Sequence, residues 1–113
     1  MHVHVLRLMP GQDLRPALLQ ELQQHGVHAA CVLSAVGSFS RAVLRYAQAQ
    51  QGTLMEGPLE LVALAGTLSM DGAHLHACVS DGRGEVRGGH VMPGCFVRTT
   101  AEVVLALLPE RRG

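Results

Sequence analysis

The sequence predicts an α+β domain, a mainly antiparallel β-sheet with one main helix. Two patterns lead to this. Apolar segments recur at roughly ten-residue spacing, separated by Gly, Pro and Asp, as the strands of an antiparallel sheet do. One stretch, Asp13 to Gly26, instead repeats its leucines every four residues, the spacing of a helix that buries one face. The 113 residues suit a single domain, 1–113, with room for one ordinary core. Apolar residues at 48% and charged residues at 16% exclude a disordered or coiled-coil chain. With one Tyr, two Phe and no Trp, the core must be built from Leu, Val and Ala, and the apolar surface left over makes self-association the expected state.

Met1 to Arg7 alternates polar and apolar residues and continues to Met9, which reads as a first strand ended by the turn Pro10-Gly11. It has neither a charged leader nor a long apolar run, so neither a signal peptide nor a membrane span is expected. Asp13 is the expected N-cap, its carboxylate accepting from the free N–H groups of the helix's first turn. Pro16 is tolerated there because those N–H groups have no helical acceptor. Leu14, Leu18 and Leu22 form the buried stripe, and Gly26 is the stop.

Ala29 to Val36 reads as a buried strand, Gly37-Ser38 as a turn and Phe39 to Ala47 as the next strand. The polar stretch Gln48 to Thr53 reads as a loop. Strands are then expected over Leu59 to Leu68, Ala73 to Ser80 and Glu85 to Val91. Phe96 to Leu108 follows, and its second half, Ala101 to Leu108, fits a helix as well as a strand.

The chemistry concentrates in one hairpin. Strand alternation from Ala73 to Ser80 puts His74, His76, Cys78 and Ser80 on one face and Leu75, Ala77 and Val79 on the other. The apolar set must face the core. Asp81-Gly82-Arg83-Gly84 suits a type I turn closed by a glycine at φ > 0, a three-residue loop that sets Asp81 opposite Glu85. Ser80 then faces Val86, Cys78 faces Gly88, His76 faces His90 and His74 faces Met92. Three imidazoles converge, as a metal site with an open fourth position requires, and zinc is the ion such a set suits. A two-residue loop at Gly82-Arg83 would shift the register by one and turn His90 towards the core. Gly88-Gly89 leaves room beside the histidines for a ligand or another backbone. The competing reading is a polar strand whose histidines only form hydrogen bonds. His2 and His4 repeat the same spacing at the amino terminus, which favours that caution. His25 and His28 flank the helix stop and are expected to interact with the helix end.

Glu60 and Glu102 are carboxylates within apolar strands. Each is a candidate general base, a support for a ligating histidine, or a partner for Arg41, Arg45 or Arg98. No nucleophile elbow, P-loop or dinucleotide fingerprint is present. Cys31, Cys78 and Cys95 are widely spaced with no CxxC pair, and read as reduced, buried thiols of a cytoplasmic protein. The basic residues number nine, all of them Arg, against nine Asp plus Glu, so no net field draws this chain to nucleic acid or an anionic membrane.

Taken together, Arg7-Leu8-Met9-Pro10-Gly11-Gln12-Asp13-Leu14, Ala35-Val36-Gly37-Ser38, Glu60 to Thr67, His74-Leu75-His76, Gly88-Gly89-His90 and Thr100 to Val104 resemble the plant and prokaryote conserved (PPC) domain, also described as a PD1-like DNA-binding domain. The resemblance runs nearly from end to end. It implies an α+β domain with a mainly antiparallel sheet, assembling as a homotrimer, with its histidine cluster on His74, His76 and His90 and its carboxylates on Glu60 and Glu102. In plants the domain follows AT-hook motifs that grip the DNA minor groove, and prokaryotic members stand alone under the description of DNA-binding proteins. This sequence has no Arg-Gly-Arg-Pro hook; Arg111-Arg112-Gly113 is a weak substitute. The resemblance therefore implies a trimeric domain with a regulatory role, to which the residues add a histidine-lined metal or small-ligand site. A metal-dependent, hydrolase-like enzyme and an assembly module for protein partners are the alternatives.

Overall fold

The structure, a computed structural model, describes residues 2–108. The tail Arg111-Arg112-Gly113 lies outside the described residues. The elements are β1 (His2–Leu8), α1 (Leu14–Gln24), β2 (Ala29–Arg45), β3 (Thr53–Ser69), β4 (Gly72–Ser80), β5 (Val86–Val91) and β6 (Phe96–Leu108). They form one six-stranded sheet in the order β1-β6-β2-β3-β4-β5, with a further pairing of β5 onto β2. Every paired strand is antiparallel. The predicted α+β class with a single main helix is therefore the observed one.

Two boundaries differ from the sequence reading, each for a physical reason, and the open choice at Ala101 to Leu108 falls to strand. Gly37-Ser38 is no turn, and β2 runs straight through it. A side chain at Gly37 would place its Cβ 2.7 Å from the Ala101 Cα and the Thr100 oxygen. The glycine is there so that β2 and β6 can approach closely, a demand that looks like a turn in one dimension. β3 begins at Thr53 rather than Leu59, since Leu54 to Glu56 pair with Arg41 to Val43 beyond a bulge in β2. Ala101 to Leu108 is strand throughout, held between β1 and β2.

Asp13 occupies the N-cap position with extended backbone, but its side chain caps nothing in α1. Its carboxylate accepts instead from the backbone N–H groups of Gly94 (2.9 Å) and Cys95 (3.2 Å). The first helical N–H, that of Leu14, donates to the Cys95 carbonyl at 2.9 Å. Donors on the entry to β6 thus take the place of the helix's own N–H groups. Leu14, Leu18 and Leu22 are buried, as their spacing predicts, and belong to one core with Leu44, Leu68, Leu75, Val79, Val103 and Leu105. Among the described residues, no helix is long and apolar enough to cross a membrane.

Candidate metal centre

The β4–β5 hairpin has the register that a three-residue loop dictates. Asp81 accepts from the N–H groups of Arg83 (2.9 Å) and Glu85 (3.0 Å) through its carboxylate. Those hydrogen bonds come first among the causes that hold its carboxyl below the ordinary value of 3.8. Gly84 closes the loop at φ +79°, a backbone conformation that only glycine adopts without strain. Ser80 then pairs with Val86, Cys78 with Gly88 and His76 with His90. The ladder ends there, and Met92, expected opposite His74, lies past the end of β5.

Leu75, Ala77 and Val79 are buried, so His74, His76 and Cys78 point out of the core. The three imidazoles meet on that outer face. Ring centroids are 5.1 Å apart for His74 and His76, 4.4 Å for His76 and His90, and 5.5 Å for His74 and His90. One ring nitrogen from each lies within 4.8 Å of the others. Zinc–imidazole bonds of about 2.1 Å around a tetrahedral ion separate ligand atoms by roughly 3.4 Å, a spacing inside the span of these nitrogens. The donor set therefore fits a divalent cation. Desolvation first, then the charge of Arg45 and of the two neighbouring imidazoles, holds His90 below its ordinary value of 6.5. A neutral His90 keeps the lone pair that a metal requires.

The second strand pairing fixes His90 from behind. Arg45 of β2 pairs with His90, and Leu44 with Val91, so β2, β3, β4 and β5 close on themselves. This is why position 89 is glycine: a Cβ there would lie 2.8 Å from the Arg45 carbonyl oxygen. Gly88 faces the other way, with Cys78 Sγ 3.2 Å from where its Cβ would be. Of the two uses expected for Gly88-Gly89, the close approach of another strand's backbone belongs to Gly89, whereas Gly88 lines the groove with Cys78 Sγ and the Ala77 oxygen, at 3.2 and 3.3 Å, close to where its Cβ would be.

Two grooves border the imidazoles. One, of about 390 Å³, runs over Ala63, Ala65, Cys78 and Gly88 between His76 and His90. The other, of about 310 Å³, lies between Arg15, Arg45, His74 and His90. Arg15 carries no signal in the sequence, because nothing in a helix's first turn announces that it will reach the Ala73 carbonyl at the start of β4, 3.2 Å away.

Neither candidate carboxylate lines these grooves. Glu60 is paired with Ser80, at the far end of β4 from His74, and is exposed. Glu102 lies on β6 opposite Arg7, whose guanidinium is 3.4 Å from its carboxylate. The expected partners Arg41 and Arg45 bond elsewhere, to Glu56 and to the Ala49 carbonyl. Cys95 is buried as expected, whereas Cys31 and Cys78 are only half-buried. The polar amino-terminal face gives a second cluster: Nε2 of His4 and of His25 each lie 2.9 Å from Glu21 Oε1. His25 does interact with the helix end, through this carboxylate and through its own N–H to the Glu21 carbonyl at 3.2 Å.

Comparison with known proteins places this architecture. The chain is 50% identical over 110 residues to the bifunctional protein GlmU of a Synechococcus strain, covering 97% of this chain and 17% of that protein. It is 30% identical to AT-hook motif nuclear-localized protein 3 of Arabidopsis thaliana, covering 96% of this chain and 32% of that one. The chain thus spans a third or less of these relatives' length. Among solved structures, a hypothetical protein from Salmonella is 44% identical with a TM-score of 0.93, covering 96% of this chain and 78% of that one. The metal-containing protein AF0104 from Archaeoglobus fulgidus is 34% identical with a TM-score of 0.77, covering 97% and 82%. The model of the Plants and Prokaryotes Conserved (PCC) domain matches residues 1–109, and the chain belongs to that family.

Proposed function

We propose that this domain is a metal-binding, self-assembling regulatory module in which His74, His76 and His90 hold a divalent cation, zinc in the first instance. The observation that carries the reading is the convergence of three ring nitrogens within 4.8 Å on one outward face. The Archaeoglobus relative, described as metal-containing, supports it. Bound zinc would supply a Lewis acid with a fourth position open to an exogenous ligand.

Assembly is supported by the same face of the sheet. Val3 pairs with Ala106, Ala106 with Cys31, Cys31 with Thr67 and Thr67 with His74, so these residues form one row across β1, β6, β2, β3 and β4. Val5 and Val36 stand on that face at 66% and 58% exposure. Apolar side chains left so open belong at a subunit boundary, and the histidines lie on the same surface. A homotrimer is the assembly we assign.

The hydrolytic alternative needs a base at the metal, and the separation of Glu60 and Glu102 from the imidazoles favours binding over turnover. The Arabidopsis relative is named for an AT-hook motif. This sequence holds no Arg-Gly-Arg-Pro and its formal net charge is +0, which favours a regulatory role through a ligand or partner over a grip on the phosphate backbone. The test is metal analysis of protein purified without a histidine tag. One metal per chain, lost in His76→Ala while the assembly persists, supports the reading. Metal content unchanged by His76→Ala would assign the ion to other ligands.

A further inference from the structure

We infer that the ligand taken up at the histidine centre is a small organic acid, its carboxylate held over Arg15 and Arg45 and its apolar body in the groove between His76 and His90. The inference rests on the metal reading above and names what the open position receives.

The charge balance around the site comes first. Arg15 and Arg45 both line the groove beside His74 and His90, and both are half-buried. Their recorded partners are carbonyl oxygens, those of Ala73 and Ala49. Among the described residues, neither forms a salt bridge, whereas Arg7 and Arg41 each have a glutamate. No Asp or Glu lines either groove. Two guanidiniums beside a bound cation concentrate positive charge in a chain whose formal net charge is +0. Such a site is completed by an anion, and a guanidinium's paired N–H donors match the two oxygens of a carboxylate.

The shape of the second groove supplies the rest of the ligand. It shares Arg45 and His90 with the first, so the two are continuous at those residues. Beyond them His76 lines one side, and the rest is Ala47, Ala63, Ala65, Ala77, Cys78, Gly88 and Gly89. Ala65 is paired with His76 and Ala63 with Cys78, so the alanines lie on the same outward face as the imidazoles. Small apolar side chains at most of these positions leave a trough that accepts hydrocarbon, with the His76 imidazole and the Cys78 thiol at its edges. An acid with a short aliphatic chain matches both halves.

The experiment uses the full chain loaded with cobalt(II), whose visible absorption reports on the fourth ligand, titrated with acetate, butyrate and inorganic phosphate. Butyrate should change the spectrum and bind roughly tenfold more tightly than acetate, as two further methylenes in an apolar groove predict. Arg45→Met and Arg15→Met should each weaken butyrate at least tenfold while the protein still binds one cobalt per chain and its circular dichroism is unchanged. Ala65→Leu, which fills the trough, should remove the preference for butyrate over acetate. Cobalt bound with no spectral response to any anion would overturn the inference and leave the metal site standing. Phosphate binding more tightly than butyrate, or equal butyrate affinity in wild type and both arginine variants, would also overturn it. Failure to bind cobalt at all would remove the metal reading itself.

Discussion

Cys95 and Cys78 show how far one residue type can diverge on one sheet. The Cys95 thiol accepts from the Val43 N–H at 3.4 Å and faces the Val43 and Met92 carbonyls at 3.5 and 3.6 Å. Burial pushes it up to about 11, so it is protonated and shielded at neutral pH. Cys78 stands half-buried in the alanine-lined groove. Thiol labelling of the native protein at pH 8 should modify Cys78 and spare Cys95, read by mass spectrometry. Labelling of Cys95 at the rate of Cys78 would contradict the packing. Glu21 offers a second test at this scale. Partial burial works to raise its carboxyl, yet hydrogen bonds and charge from His4 and His25 outweigh this and hold it below its ordinary value of 4.5. A depressed carboxyl stabilises the fold above its unfolded-state value, and that contribution is lost as pH falls through the lower folded-state value. Glu21→Gln should therefore cost about 1 kcal/mol at pH 7 and progressively less below about pH 4.5, measured by urea denaturation.

At the scale of elements, the hairpin was legible and the long strands were not. The alternation of His74, His76 and Cys78 with Leu75, Ala77 and Val79 announces a half-buried strand, and Asp81 with Gly84 fixes the loop length. Together they set His76 against His90 before any coordinates are known. The same local logic fails at Gly37, where the reason for glycine is the backbone of β6, dozens of residues away in sequence. It fails likewise at Asp13, whose acceptor oxygens are claimed by Gly94 and Cys95. The closure of β5 on β2 is also invisible in one dimension, although it decides where His90 stands. That closure gives a prediction. Gly89→Ala must push β5 away from the Arg45 carbonyl at 2.8 Å, whereas Gly88→Ala adds a methyl group on the groove side at 3.2 Å from Cys78 Sγ, a side chain that can yield, and 3.3 Å from the Ala77 oxygen, which needs only a few tenths of an ångström of give. Gly89→Ala should weaken zinc binding at least tenfold and Gly88→Ala only a few-fold, by competition with a chromophoric chelator. Equal effects would mean that the β2–β5 pairing does not position the site. The helix gives a control: Leu18→Ala, at a fully buried position, should cost about 3 kcal/mol without altering zinc stoichiometry.

At the scale of the whole molecule, the helix covers only part of a sheet whose long strands leave Val3, Val5 and Val36 open to solvent. The composition anticipated surplus apolar surface, but only the register across β6 shows that these valines share a face with the histidines. Val36→Arg should convert the proposed three-chain assembly to single chains of 12.0 kDa, read by light scattering. An unchanged mass would remove this face from the interface. The central claim, that the three histidines form one metal centre, is tested most directly by X-ray absorption at the zinc edge on tag-free protein. The account predicts three imidazole nitrogens at about 2.1 Å and one lighter, exchangeable oxygen or nitrogen ligand. Sulfur at about 2.3 Å, drawing Cys78 into the shell, or fewer than three imidazoles, would contradict it.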